Sequence, residues 1–242
     1  TNLMYFNARY YDQTIGRFIN VDPIQSGENW YVAFGNNPLN KVDPTGLEEK
    51  DINKTISNIV NTVVFQIERA MYIIKYHDKN YINETKDNAV SYPLKESDIS
   101  KHGAAKKYND GSIHSSDKTA VMQVDLWSKE GNPLYTTSEQ NFKLNAQRWE
   151  NPNNDRQGYG FYTESTSKDG VFTFRYAHNN PDSQVSKDFN NLSKSAQKAG
   201  LEDFTLPKGT QIAEIGNTGR STNAHSHYEV RDNKSKKDYY GE

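Results

Sequence analysis

Toward its C-terminus the chain reads Ala224-His225-Ser226-His227-Tyr228-Glu229-Val230. In a β-strand alternate side chains leave the same face, so His225 and His227 would project together. Two adjacent imidazoles suit a metal ligand beside an acid/base group. The competing reading of His-x-His is a solvated strand face. The chain holds 6 His and no Cys. Disulfide scaffolds, Cys-ligated zinc fingers and iron–sulfur clusters are therefore excluded, and any nitrogen ligand to a metal comes from these histidines. His77 and His102 have no supporting context and read as solvated.

These residues must be positioned by elements whose signals run along the chain. Upstream of the histidine pair lies a glycine-punctuated run, Gly209-Thr210-Gln211-Ile212-Ala213-Glu214-Ile215-Gly216-Asn217-Thr218-Gly219-Arg220-Ser221-Thr222. Its glycines allow a tight loop to approach a groove closely. Strand-like alternation predicts strands over 120–127, 159–166, 170–177, 210–215 and 225–230, and the turn Glu130-Gly131-Asn132-Pro133 leads into a strand beginning at Leu134. A helix is predicted over 185–199, with Val185, Phe189, Leu192 and Ala196 on one face and Gly200 as its stop. Ile52, Ile56, Ile59, Val60, Val63, Val64, Ile67, Met71 and Ile74 recur at helical spacing. They predict a linker helix that packs its apolar face on its own domain. Residues 145–160 read as a polar loop. The first 47 residues alternate aromatic runs with turn signals and predict short strands.

Composition narrows the classes. The 242 residues are 33% hydrophobic and 12% aromatic, with a formal net charge of −2. The aromatic content argues against wholesale disorder. The charge weighs against a nucleic-acid partner held by phosphate attraction. No apolar run is long enough to span a membrane, and no signal peptide is visible.

From Ile215 to Arg231 the sequence resembles the closing motif of LytM/lysostaphin-type zinc endopeptidases. Phe174-Arg175-Tyr176-Ala177-His178 resembles a second motif of that family, and Gly131-Asn132-Pro133-Leu134-Tyr135 places Asp125 at its aspartate position. The resemblance implies a mainly β fold, an antiparallel sheet forming a groove, with one N-terminal and one inserted helix. It implies a zinc held by Asp125, His227 and a third ligand, with His225 as general base and His178 stabilising the oxyanion. Val121 stands where the family has its first histidine, and valine cannot bind zinc. His114 is the expected third ligand, either from the preceding loop or as part of a shifted His114-Ser115-Ser116-Asp117 motif. The implied substrate is a peptidoglycan peptide.

Residues 5–47, including Ala8-Arg9-Tyr10-Tyr11-Asp12 and Asp43-Pro44-Thr45-Gly46-Leu47, resemble the end of an Rhs/YD-repeat core. In that family a β-shell encloses a C-terminal toxin. The resemblance implies three parts: a core segment over 1–47, a helical linker and polar loop over 48–111, and a metallopeptidase domain over 112–242. It also implies cleavage after Leu47 by Asp43, with Asp22 as its partner. The alternative is that Asp43-Pro44 is only a turn. The whole then reads as a delivered effector acting in the envelope or periplasm of a target cell. Its partners would be the Rhs shell, secretion machinery and a cognate immunity protein. Two other readings stand beside it: a metal-free LytM-like domain that binds peptidoglycan or a partner, and a nuclease toxin using its histidine pair on phosphodiesters.

Overall fold

The computed structural model describes residues 2–25, 27–84, 92–100, 120–156 and 158–233. The chain divides into two compact units, Thr1–Val63 and Val64–Glu242. In the first, β1 (Leu3–Phe6), β2 (Arg9–Asp12) and β3 (Arg17–Phe18) form an antiparallel sheet in chain order. Phe6, Tyr11, Phe18 and Phe34 meet edge-on, with Tyr11 and Phe34 centroids 5.2 Å apart. Such aromatic contacts give a short segment a core it could not build from aliphatics alone. β4 (Lys41–Val42) and β5 (Lys50–Asp51) pair across the Asp43-Pro44-Thr45-Gly46 turn. Asp51 then caps α1 (Ile52–Tyr76), its Oδ1 accepting from the Lys54 N–H at 2.9 Å.

The helix forms as its periodicity predicts, but the buried face is the opposite one. Phe65 and Tyr72 are the buried residues of α1, and both belong to the core of the second unit. Tyr72 donates to the Gln211 carbonyl at 2.9 Å and Arg69 to the Thr205 carbonyl at 2.7 Å. The aliphatic stripe that should have packed is exposed, from 42% at Val64 to 81% at Ile74. Phe65 and Tyr72 each bury a large ring on this neighbour, and Tyr72 satisfies its hydroxyl there as well.

Past α2 (Lys79–Glu84), the second unit is antiparallel β with one inserted helix. Its strands are β6 (Ala120–Trp127), β7 (Pro133–Tyr135), β8 (Gln140–Lys143), β9 (Gln147–Trp149), β10 (Phe161–Ser167) and β11 (Phe172–Ala177), then, after α3 (Gln184–Lys198), β12 (Asp203–Leu206), β13 (Gln211–Glu214) and β14 (His225–Asp232). The main sheet has the order β12-β8-β10-β11-β14-β6, with β9 paired to β10. β7 and β13 form a separate pair. β10 and β11 are the hairpin the sequence suggests, turning at Gly170. By contrast, β6 and β7 flank a turn without pairing with each other, since β6 pairs with β14 and β7 with β13. The supposed polar loop also contains β9.

α3 opens on Ser183, whose hydroxyl accepts from the Ser186 N–H, and stops at Gly200 with φ 74°. Val185, Phe189, Leu192 and Ala196 are buried as predicted. They meet Phe142 and Phe204 in a core that also holds Leu126, Phe174, Tyr176, Ile212 and Tyr228.

Candidate active site

Three adjacent strands bring the predicted side chains together. On β14, alternation puts Ser226, Tyr228 and Val230 on one face, with Tyr228 and Val230 in the hydrophobic core, and His225, His227 and Glu229 on the other, where His225 and Glu229 are also buried. The β14–β6 register sets Asp125 opposite His227 and Trp127 opposite His225. The β14–β11 register sets Ala177 opposite His227, so His178 emerges just past the end of β11. The result is a cluster of His178, His225, His227 and Asp125 drawn from positions 125 to 227.

The His227 Nδ1 and Asp125 Oδ1 are 2.7 Å apart, and His225 Nε2 lies 3.9 Å from the same oxygen. The rings of His178 and His225 have centroids 4.6 Å apart, and those of His178 and His227 are 6.3 Å apart. His178 Nδ1 faces the Thr218 carbonyl at 2.7 Å, and His225 Nδ1 faces the Asn223 carbonyl at 2.8 Å. A carbonyl only accepts, so both Nδ1 atoms carry hydrogen, and in the neutral form of either ring the lone pair is at Nε2. Burial, then the neighbouring His225, pushes the His178 pKa down to about 4.

His178 also has a left-handed backbone, φ 61°. A non-glycine residue keeps that conformation where its surroundings over-determine it. Here its N–H donates to the Tyr159 carbonyl and its carbonyl accepts from the Gly216 N–H, both at 3.0 Å. Thr218 completes the clamp. Its hydroxyl donates to the Asn179 carbonyl and accepts from the Phe161 N–H, both at 3.0 Å. This is possible because two loops cross backbone to backbone at Gly160 and Gly219. A Cβ on either would stand 2.3 Å from the other's nitrogen. The glycine run thus carries the carbonyl that orients His178.

Several residues that the sequence reading did not assign complete the surroundings. Trp127 stacks on His225 at 4.7 Å. Tyr159 lies 5.6 Å from the His227 ring, with the Arg175 guanidinium 4.6 Å over its own ring. Fully buried Glu229 accepts from Arg231 at 2.8 Å and pairs with Arg175 at 3.3 Å. Arg175 also holds Glu164 at 2.6 Å. Burial acts to raise the Glu164 pKa, but the hydrogen bonds from Arg175 and Arg148 outweigh it and leave the value lowered. Strand parity was the available signal for Trp127 and Glu229, which stand two residues from Asp125 and His227.

A catalytic zinc takes three protein ligands and keeps one position open. Asp125 Oδ1 and His227 Nδ1 are donors of the right chemistry and already meet. At zinc–ligand bonds of about 2.0–2.1 Å, two tetrahedral ligands stand about 3.3 Å apart, so an ion would spread this pair slightly and displace the proton between them. Among the described residues, no group of three or more His, Cys, Asp or Glu forms a metal cluster. His114, the expected third ligand, lies outside the described residues, as does His102. The side chain of Val121 likewise lies outside what the structure describes. His77 is half-buried, bridges Thr210 by its backbone, and takes no part in the cluster.

In the first unit, Arg9 stands between the two carboxylates singled out for cleavage, 3.7 Å from Asp22 and 3.4 Å from Asp43. Asp43 Oδ1 accepts from the N–H groups of Leu47 and Glu48 at 3.1 and 3.2 Å. The group bridging the carboxylates is thus a guanidinium, and Asp43 closes the turn.

No family model matches the chain. It is 41% identical over 46 residues to salivary gland surface protein 1 of Aedes aegypti, covering 19% of this chain and 1% of that protein. It is 42% identical over 53 residues to YlbH, an uncharacterized protein of Escherichia coli strain K12, covering 22% of each. The chain therefore spans a small part of the curated proteins it matches. Among solved structures it is similar to a zinc containing peptidase from Vibrio cholerae, with TM-score 0.37 and 20% identity over 58% of this chain and 36% of that one. It is also similar to the catalytic domain of the antimicrobial peptidase lysostaphin from Staphylococcus simulans, with TM-score 0.36 and 18% identity over 65% of this chain and 87% of that one. At these scores neither likeness bears on the chemistry.

Proposed function

We propose that the second unit is a zinc-dependent endopeptidase acting on peptidoglycan peptides. The supporting observation is the convergence of His178, His225, His227 and Asp125 on one face of three paired strands, in the pairing the LytM/lysostaphin resemblance implies. Asp125 and His227 would hold zinc, with His114 as third ligand. Zinc, when bound, lowers the pKa of a coordinated water and polarises the scissile carbonyl. His225 offers a lone pair at Nε2, held in that tautomer by the Asn223 carbonyl, and takes the proton from the attacking water. His178, neutral with its Nδ1–H committed to Thr218, also offers Nε2 as an acceptor. Donation to the oxyanion, the role the resemblance implies, would take the other neutral tautomer, with the hydrogen on Nε2 and the Nδ1–H bond to Thr218 given up. Trp127 and Tyr159 flank the pair and keep each ring in place.

Zinc analysis of the purified chain and peptide release from peptidoglycan sacculi test this reading. The expected result is one zinc per chain and release that chelation stops. His227→Ala loses both, whereas His225→Ala keeps the zinc and loses release by roughly 10²–10⁴-fold. A chain that takes up zinc but releases nothing overturns it. Val121 favours the second reading, a metal-free groove that binds peptidoglycan. Binding to sacculi with neither zinc nor release would establish that one.

The Rhs resemblance of residues 5–47 supports a delivered effector, acting in the target envelope and held in check by an immunity protein. Cleavage after Leu47 by Asp43 belongs to the same reading. It would appear as a mature fragment beginning at Glu48 and disappear in Asp43→Asn.

A further inference from the structure

The exposed face of α1 is ordered in a way that solvent does not require. Ile56, Val60, Val63, Ile67, Ala70 and Ile74 follow one another at steps of four and three residues. That is the 3.5-residue repeat of a helix that packs along another helix. Every large member of the row is at least half exposed, from 52% at Val60 to 81% at Ile74. Ile59, Val64 and Met71 border it at 59%, 42% and 63% exposure. No acidic or basic residue falls within the row or its borders. The charged residues Lys54, Glu68 and Arg69 lie on the helix away from it, and Lys75 is held by Asp188 at 2.7 Å. The opposite face is spent on the core through Phe65 and Tyr72.

We propose that this stripe is the interface of a homodimer, two copies of α1 lying side by side about a twofold axis. A second copy presents the same long, uncharged, heptad-spaced row, which an isologous contact requires. Val60, Ile67 and Ile74 stand one full heptad apart, so the row keeps a single register along the whole contact. The eight large side chains expose roughly 100 Å² each, or about 800–900 Å² per copy, the amount a stable standard-size interface buries on each partner. An apolar row of this extent left in water is an association site or an aggregation hazard, and pairing removes it.

Sedimentation velocity of the intact chain, from about 1 to 100 µM, tests the proposal. The expected species is a dimer of twice the chain mass. Ile67→Glu and Val63→Glu should each weaken it at least about a hundredfold, because a carboxylate would enter an apolar contact. Far-ultraviolet circular dichroism and the thermal midpoint of these variants should match the monomeric parent, since neither side chain is in the core. A control, Lys54→Glu, sits off the row and should leave the dimer intact. A chain that stays monomeric throughout the range overturns the proposal, as does a dimer that both variants leave unchanged. Neither outcome touches the peptidase reading, which is scored by zinc and peptide release.

Discussion

His178 shows how much the chemistry of a single side chain owes to its backbone. Its left-handed φ of 61° turns the ring back over β14, and the Thr218 carbonyl decides which nitrogen keeps the hydrogen. Burial and His225 keep it neutral down to a pKa of about 4. In the zinc-free chain its ring resonances, followed by NMR, should titrate near pH 4, well below an unperturbed histidine. A midpoint near 6.5 would mean the ring is not seated as described. The four residues of the cluster were all legible, because their types and local patterns are unusual in a polar chain. Trp127 and Tyr159 were not singled out, since an aromatic beside a histidine is ordinary until strand pairing puts the two rings in contact.

At the scale of elements, α1 and the crossing loops carry the sharpest expectations. Phe65→Ala should cost about 3–5 kcal/mol in urea unfolding, the usual range for a buried phenylalanine. Ile67→Ala should cost under about 1 kcal/mol when measured dilute enough to keep copies apart, since its side chain is 55% exposed. The reverse order would restore the face that periodicity selects. Gly219→Ala places a Cβ 2.3 Å from the Gly160 nitrogen at a positive φ, so the loops must part. Its expected effect is loss of the Thr218–His178 bond, whose carbonyl favours the protonated ring, read as a further fall in the His178 midpoint, together with destabilisation of about 2 kcal/mol or more. α3 was read correctly because its cap, buried face and glycine stop are all local. The α1 face was misjudged because a helix with two apolar sides offers no local reason to prefer one.

For the molecule as a whole, two features tie the second unit together. Gln140 on β8 bonds Tyr176 on β11, Ser165 on β10 and Thr137, which in turn meets Tyr228 on β14. Gln140→Leu keeps the volume but strands several buried hydroxyls, and should lower stability by about 2–4 kcal/mol, measured by denaturant unfolding. The second feature is acid sensitivity. His178 titrates near 4 when folded and near 6.5 when unfolded, so the unfolded chain binds the proton first. Its contribution is complete above pH 6.5 and is lost as pH falls toward 4, by up to about 3 kcal/mol. Urea midpoints of the zinc-free chain should decline over that window, and less steeply in His178→Gln.

By itself the sequence determined which side chains are available for chemistry, the parity that puts His225 and His227 on one face, the inserted helix and the β10–β11 hairpin. These follow from residue type, a two- or 3.6-residue period, and turns whose partners are a few residues away. Tertiary structure alone decided that β6 pairs with β14 across a hundred residues rather than with its neighbour β7, which is what brings Asp125 to His227. It also decided that two glycine loops cross to supply the Thr218 carbonyl, and that α1 turns its aromatic side inward. Backbone ladders are alike whichever strand they join, so a distant partner is chosen by which arrangement buries the most surface and satisfies the most polar groups at once. That sum exists only when the chain is folded.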